Sequence, residues 1–325
     1  MNLFLALILL VIGLVILWKG ADLLVAGAVN LAERLGISPL IVGLTVVAMG
    51  TSAPEAASSI AAVLKGPGGG DIAIGNVFGS NIANLALVGG LVALIRPLIV
   101  QKKTLLREVP VMLFVALLLW PLLRDMEIGY IDSMILILIF IVFIIYAART
   151  ARKESKQSKL NSMTVPISYD KSIKVQKSIL FILIGLIGLA GGAKMTVEGA
   201  LFIGNKIGIS DGVVGLTFIA LGTSLPELVT CVMAAAKGHH DISVGNLVGS
   251  NIFNTLLVTG VAGLVKPYSV SGRFAGGKDF WIMIIVSAAF AFAAIIGKRT
   301  ISRISGIVLI SVYAGYIIYL FHSGS

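Results

Sequence analysis

Long apolar runs separated by short polar turns recur from one end of the chain to the other. A helix needs roughly 17–25 mostly apolar residues to cross the hydrocarbon of a bilayer. Runs of that order fall at 2–28, 37–64, 71–95, 107–123, 129–148, 177–205, 211–236, 241–265, 279–297 and 302–321. They lack the strict alternation of a barrel strand, so the pattern predicts helices. The first run, MNLFLALILLVIGLVILWKG, has no basic residue ahead of its apolar stretch and reads as a transmembrane helix, not as a cleaved signal. One long polar stretch, 149–177, divides the pattern into five spans and five spans. The expected fold is an all-α membrane protein of ten transmembrane helices.

The two groups of spans repeat one another. GLTVVAMGTSAPE (43–55) matches GLTFIALGTSLPE (215–227) at nine of thirteen positions. DIAIGNVFGSNIANLALVGGLVALIRP (71–97) matches DISVGNLVGSNIFNTLLVTGVAGLVKP (241–267) at fourteen of 27. Weaker similarity links Gly20 and Gly27 to Gly192 and Gly199. Five is an odd number, so the second copy must lie upside down in the membrane relative to the first. Inverted repeats of this kind characterise secondary transporters, whose substrates bind near the midplane between the repeats. The expected organisation is a first repeat over 1–148 with its motif at 43–97, a basic linker over 149–176, and a second, inverted repeat over 177–325 with its motif at 215–267.

GTSAPE (50–55) and GTSLPE (222–227) each fall in the middle of an apolar span. Gly50 and Gly222 weaken the helix, and Pro54 and Pro226 cannot donate a backbone hydrogen bond. Broken helices at the centre of the membrane are therefore expected, with carbonyls such as those of Ala48 and Ala220 set free. Irregular backbone at that depth is tolerated only where it lines a cavity or is covered by protein. Thr51, Ser52, Thr223 and Ser224 add hydroxyls. Glu55 and Glu227 add carboxylates, which cost about 2.5–3.5 kcal/mol at membrane depth on insertion scales and read as functional there. Lys19 and Lys194 are the bases inside spans, and Asp22 and Glu198 are placed to be their partners. GNVFGSN (75–81) and GNLVGSN (245–251) bring amide oxygens from Asn76, Asn81, Asn246 and Asn251, with Asn84 and Asn254 one turn further on. Asn76 and Asn246 read as ligands, whereas the other four serve equally well as ligands or as interhelical glue. The small residues of the same segments let helices approach closely.

Every donor in this set is a hard oxygen, as Ca2+ prefers, and neither motif contains His or Cys. His239 and His240 lie in a turn between spans and read as solvated. Two carboxylates are neutralised by one Ca2+, and emptying such a site would strand two charges in low dielectric. The site is thus expected to change sides only when refilled by Ca2+, Na+ or H+.

Composition agrees with a membrane protein: 58% of the 325 residues are hydrophobic and only 12% are charged. The net charge of +10 does not indicate a nucleic-acid partner, because the basic residues sit at span ends and eight of them lie in 149–177. Placing that loop in the cytoplasm puts Arg34, Arg96, Lys102, Lys103, Arg107, Lys237, Lys298, Arg299 and Arg303 on the same side, with both termini outside. Cys231 is the only cysteine, so no intramolecular disulfide can form, and its expected job is packing.

GTSxPE followed by GNxxGSN, present twice about a central polar loop, resembles the two α-repeats of the sodium/calcium exchanger family. The strong likeness covers 37–97 and 209–267. The resemblance implies that Glu55 and Glu227 bind Ca2+ directly with Thr51 and Thr223. It implies that the Ala48 and Ala220 carbonyls, with Ser52 and Ser224, help form Na+ sites, and it places Asn76, Asn246 and Ser243 beside the centre. Ala73 stands where the second copy has Ser243, so one hydroxyl common in the family is missing from the first half. Some K+-dependent members carry Asp at the position of Asn246. The loop is too short for the regulatory domains of animal members, so the likeness is to a compact prokaryotic form.

The function these readings imply is Na+/Ca2+ antiport in a cell membrane, with H+/Ca2+ exchange through the same carboxylates as the alternative. A channel does not need two broken helices in inverted copies. No HExxH, GxSxG or Ser/Lys pairing suggests an enzyme. The expected partners are Ca2+, Na+ or H+, and the lipid bilayer, with no resident cofactor and no obligatory protein partner.

Overall fold

A computed structural model describes residues 2–161, 175–206 and 220–323. Its helices are α1 (Leu3–Leu35), α2 (Pro39–Thr51), α3 (Ala53–Leu64), α4 (Gly69–Ile95), α5 (Lys102–Leu122), α6 (Tyr130–Asn161), α7 (Val175–Lys206), α8 (Ala220–Thr223), α9 (Leu225–Ala236), α10 (His240–Val265), α11 (Lys278–Ile296) and α12 (Arg303–Ser323). Among the described residues eight helices are long and apolar enough to cross a membrane, and the bent pair α2–α3 makes a ninth such unit. The expected span at 211–236 is seen only in part, as α8 and the shorter apolar helix α9, because 211–219 lies outside the described residues.

Burial sorts these helices into a centre and a rim. In the most apolar stretch of α4, 72% of residues are buried, and in that of α10, 78%. The corresponding share is only 22% for α1 and α12. Helices α4 and α10 carry the GNxxGSN segments, so the repeated motif forms the middle of the molecule. Phe78 of α4 packs edge-on to Phe274 at 5.6 Å between ring centres and tilts against Phe280 of α11 at 6.2 Å. The rim helices turn Phe4, Val11, Trp18, Leu138, Ile187 and Ile304 outward. Such surface would be a liability in water and is the expected one against lipid tails.

Helices α1 and α7 form a pair packed along their length. A Cβ at Gly20 would lie 2.9 Å from the Gly185 carbonyl oxygen, and one at Gly192 would lie 2.7 Å from the Leu17 nitrogen. Lipid offers no hydrophobic drive for helix pairing, so close backbone approach at small residues supplies the attraction.

Two short antiparallel ladders, which the hydrophobic pattern did not predict, tie the span ends together. Strand β1 (Leu98–Ile99) pairs with β4 (Thr300–Ile301), Leu98 opposite Ile301. Strand β2 (Glu127–Ile128) pairs with β3 (Tyr268–Ser269), Ile128 opposite Tyr268. Two-residue strands are too short to leave a periodic signal.

Polar contacts link the span ends on the side expected to hold Arg96 and the central loop. Arg96 donates to the Ala236 carbonyl at 3.4 Å, Gln101 donates to Asp241 at 2.6 Å, and the Ser38 N–H donates to Glu154 at 3.0 Å. On the opposite face the Ser271 N–H donates to Asp71 at 2.6 Å.

Candidate ion-binding site

The motif helices are built from their caps inward. Ser38 caps α2 by accepting from the Leu40 N–H at 3.2 Å, and Pro39 stands in the first turn, where a missing N–H costs nothing. A π-helical stretch at Gly43–Val47 loosens the ladder ahead of the motif. The α-helix ends at Ser52 (φ −88, ψ 5) and restarts as α3 with Pro54 in its first turn, at a bend of 40°. Ser224 takes nearly the same angles (φ −87, ψ 2) between α8 and α9. Glu55 and Glu227 therefore stand in the first turns of α3 and α9, where the helix dipole favours negative charge.

The expectation of a freed Ala48 carbonyl needs correcting. That oxygen accepts from the Ser52 N–H at 3.0 Å. A proline at 54 removes the donor that would have reached four residues back, to Gly50, and not to Ala48. Ala220 begins α8, and its surroundings lie outside the described side chains. Gly50 and Gly222 do more than weaken their helices. A Cβ at Gly50 would run into Leu186 and one at Gly222 into Val197, so both motifs lean on the same helix, α7.

Both carboxylates are fully buried, at 0% exposure. The Ser52 hydroxyl donates to Glu227 Oε1 at 2.9 Å, so the first motif reaches the carboxylate of the second. Ser80 donates to Glu55 Oε1 at 3.5 Å, Ser224 donates to Ser80 at 3.4 Å, and Thr223 is hydrogen-bonded to Glu55. Thr51 donates to Asn246 Oδ1 at 3.1 Å, again from one half to the other. The two acids thus belong to one polar cluster at the crossing of the halves. The ion pairs among the described residues are Lys194–Glu198, Lys237–Asp22 and Arg273–Asp279, and none touches Glu55 or Glu227. Lys194 takes its expected partner, but Asp22 pairs with Lys237 in place of Lys19, because α1 packs beside α9 there.

The repeated motif segments carry several buried polar atoms without a hydrogen-bond partner among the described residues. They are Oε2 of both Glu55 and Glu227, the amide oxygens of Asn81, Asn84, Asn251 and Asn254, and the hydroxyls of Ser243 and Ser250. Each such atom costs about 1–3 kcal/mol when it is left unsatisfied. All of them are hard oxygens, the kind of donor that hard cations prefer.

The structure separates the expected side-chain ligands by their partners. Thr51, Ser52, Thr223, Ser224, Glu55 and Glu227 come together. Asn246 is fully buried, and its amide donates to Cys231 Sγ at 3.2 Å. Asn76 is half-buried and braces its own half, donating to the Glu55 carbonyl at 3.1 Å and to Ser59 at 3.0 Å. Asn81 and Asn251 commit their amide nitrogens to Thr255 Oγ1 (2.9 Å) and the Leu247 carbonyl (2.7 Å), which leaves their oxygens unpartnered.

Sequence reasoning undervalued Ser80 and Ser250, read only as small residues, although a hydroxyl repeated in both GSN segments was a usable signal. It also missed that Cys231 stands where the first half has Ser59, and that both serve the adjacent Asn. His239 is half-buried, and burial together with Lys237 lowers its pKa below the ordinary histidine value.

Comparison with known proteins agrees with this architecture. The family model described as sodium/calcium exchanger protein matches residues 5–149 and 177–322. The chain is 36% identical to the putative antiporter CaxA of Alkalimonas amylolytica, over 98% of this chain and 99% of that protein. It is 33% identical to the sodium/calcium exchanger MaX1 of Methanosarcina acetivorans, over 97% and 98%. Its fold superposes on the solved sodium-calcium exchanger NCX_Mj with a TM-score of 0.81 at 30% identity, covering 98% of this chain and 99% of that one. A multi-pass, all-helical membrane protein with a buried acidic cluster between two copies of one motif, this chain belongs to the sodium/calcium exchanger family.

Proposed function

We propose that this cation antiporter exchanges Na+ for Ca2+ by alternating access, with Ca2+ held between Glu55 and Glu227. The observation that carries this reading is the pair of fully buried carboxylates, each with one oxygen hydrogen-bonded to a serine and the other unpartnered. In this reading Thr51, Thr223, Ser52 and Ser224 line the centre with Asn76, Asn246 and Ser243. The unpartnered oxygens of Ser250, Asn81, Asn84, Asn251 and Asn254 complete the shell, and the Ala220 carbonyl serves Na+ together with the lone pair of the Ala48 carbonyl that the Ser52 N–H leaves open. The relatives named sodium/calcium exchanger support the choice of ions.

The chain is read as ten spans in two inverted repeats, 1–148 and 177–325, with the linker cytoplasmic and both termini outside. The mirrored contacts Asn76–Ser59 and Asn246–Cys231 support the repeat. The glycine-packed pair α1–α7 moves against the remaining helices to change access. Crosslinking α1 to the core is expected to stop turnover while Ca2+ binding persists.

The deciding experiment is 45Ca2+ uptake into proteoliposomes under an imposed Na+ gradient, with proton gradients collapsed. Na+-driven accumulation is expected. The alternative, H+/Ca2+ exchange, draws on the same unpartnered carboxylate oxygens, which a proton would satisfy, and it predicts uptake that follows only the proton gradient.

A further inference from the structure

Away from the central cluster, the β1–β4 ladder frames a cavity of about 470 Å³ lined by Ile99, Val100, Gln101, Thr300 and four basic side chains, Lys102, Lys103, Lys298 and Arg299. We infer that this cavity binds the phosphate group of an anionic phospholipid. Its geometry supports this on four counts.

The first is place. Lys102 opens span α5, Lys298 and Arg299 directly follow span α11, and Arg303 opens α12. The cavity therefore sits where apolar helix surface gives way to polar loop, at the depth of lipid headgroups. Basic pockets between helix ends at that level suit phospholipid headgroups.

The second is an excess of positive charge: no acid lines the cavity itself, and Glu108 and Asp241 lie in the adjoining depression beside Lys103 and Gln101. None of the four basic side chains takes part in an ion pair among the described residues. Four cations around one concavity repel one another, and a doubly coordinated phosphate oxygen pair is the natural counter-charge for Arg and Lys together.

The third is backbone conformation. Lys298 (φ 50) and Arg299 (φ 74) both occupy the left-handed region that favours glycine. Two consecutive large residues held there cost free energy, and such conformations collect at binding sites. The turn is locked by the Arg299 N–H donating to the Ala294 carbonyl at 2.7 Å and by the Val100 N–H donating to the Arg299 carbonyl at 2.8 Å.

The fourth is contrast with the matching ladder on the opposite face. The turn before β2 also contains a left-handed residue, Met126 (φ 60), but its sequence is Arg124-Asp125-Met126-Glu127, with acids beside the base. The shared backbone shape does not by itself require four cations, so the charge is an added feature of one ladder.

Native mass spectrometry of the purified full chain tests this after exchange into micelles carrying cardiolipin, phosphatidylglycerol or phosphatidylcholine, with inorganic phosphate as a fourth arm. Retention of cardiolipin or phosphatidylglycerol at least about tenfold above phosphatidylcholine is expected, because basic residues at headgroup depth favour anionic lipid. The paired variant Lys298→Gln/Arg299→Gln should lose that preference, whereas Lys65→Gln/Lys266→Gln on the other face should keep it. Equal retention of all three lipids, or an unchanged preference in the Lys298/Arg299 variant with its thermal unfolding intact, overturns the proposal. Displacement of lipid by millimolar inorganic phosphate without any headgroup preference also overturns it, by assigning the cavity to a free anion. Loss of folding in that variant moves the decision to Lys102→Gln/Lys103→Gln, for which the same two outcomes apply.

Discussion

The two copies of the motif share their sequence and differ in their surroundings. Both acids are reached from the opposite half, Glu55 by Thr223 and Glu227 by Ser52 at 2.9 Å, but Ser224, the counterpart of Ser52, donates to Ser80, whose own contact to Glu55 is 3.5 Å. Asn246 is wholly buried and holds a hydroxyl from the other half, while Asn76 is half-exposed and holds its own backbone. Gly245 and Gly249 of α10 let the backbone of α2 come close at the Leu40 and Leu44 carbonyls, so first-half helix covers second-half motif. A repeated sequence thus specifies repeated local bends, and the way the copies cross decides which partner each side chain meets.

The sharpest way to break the comparison is to neutralise each acid in turn. Glu55→Gln and Glu227→Gln should each lower Ca2+ flux in proteoliposomes by about 100-fold or more, since a divalent ion loses half its formal counter-charge. A variant that transports normally would show that its copy is not a ligand. Next come the serines. Ser52→Ala strips Glu227 of a charge-assisted hydrogen bond and should destabilise the ion-free protein by about 1.5–3 kcal/mol, whereas Ser80→Ala should cost less because its bond is long. Thermal unfolding in chelator reads both, and equal losses would refute the asymmetry.

The glycines follow. Gly222→Ala presses on Val197, whose branched Cβ is stiff, and should cost about 1–3 kcal/mol as an overpacked contact. Gly50→Ala presses on the outer carbons of Leu186, which can rotate, and should cost less in the same unfolding assay. The smallest effect is at the Asn supports. Cys231→Ser should be nearly silent because Ser59 does that job in the other half, whereas Cys231→Val should lose about 1 kcal/mol by stranding the Asn246 amide. A silent Cys231→Val variant would remove Cys231 from the site.

Much of this was legible before any coordinates. The helices, the breaks at GTSxPE and the two acids follow from local rules: apolar length, a proline without an N–H, and the cost of charge in hydrocarbon. Three points were not legible. Pro54 points to a freed Ala48 carbonyl, yet its partner Ser52 N–H is local and survives the proline. Asp22 was matched to Lys19 by spacing, yet it meets Lys237 across 215 residues. Ser80 and Ser250 look in the sequence like small residues for close helix approach, yet Ser80 donates to Glu55 and the Ser250 hydroxyl is buried.

The chain alone determined the class of the protein, its duplicated motif, its broken helices and the hard-oxygen chemistry of its centre, because each depends on residues within a turn or two of one another. Tertiary structure decided which hydroxyl reaches which carboxylate, which amide supports and which faces the acids, and where four cations gather around a two-residue ladder. Those outcomes depend on how helices far apart in the chain cross, and sequence spacing does not encode a crossing.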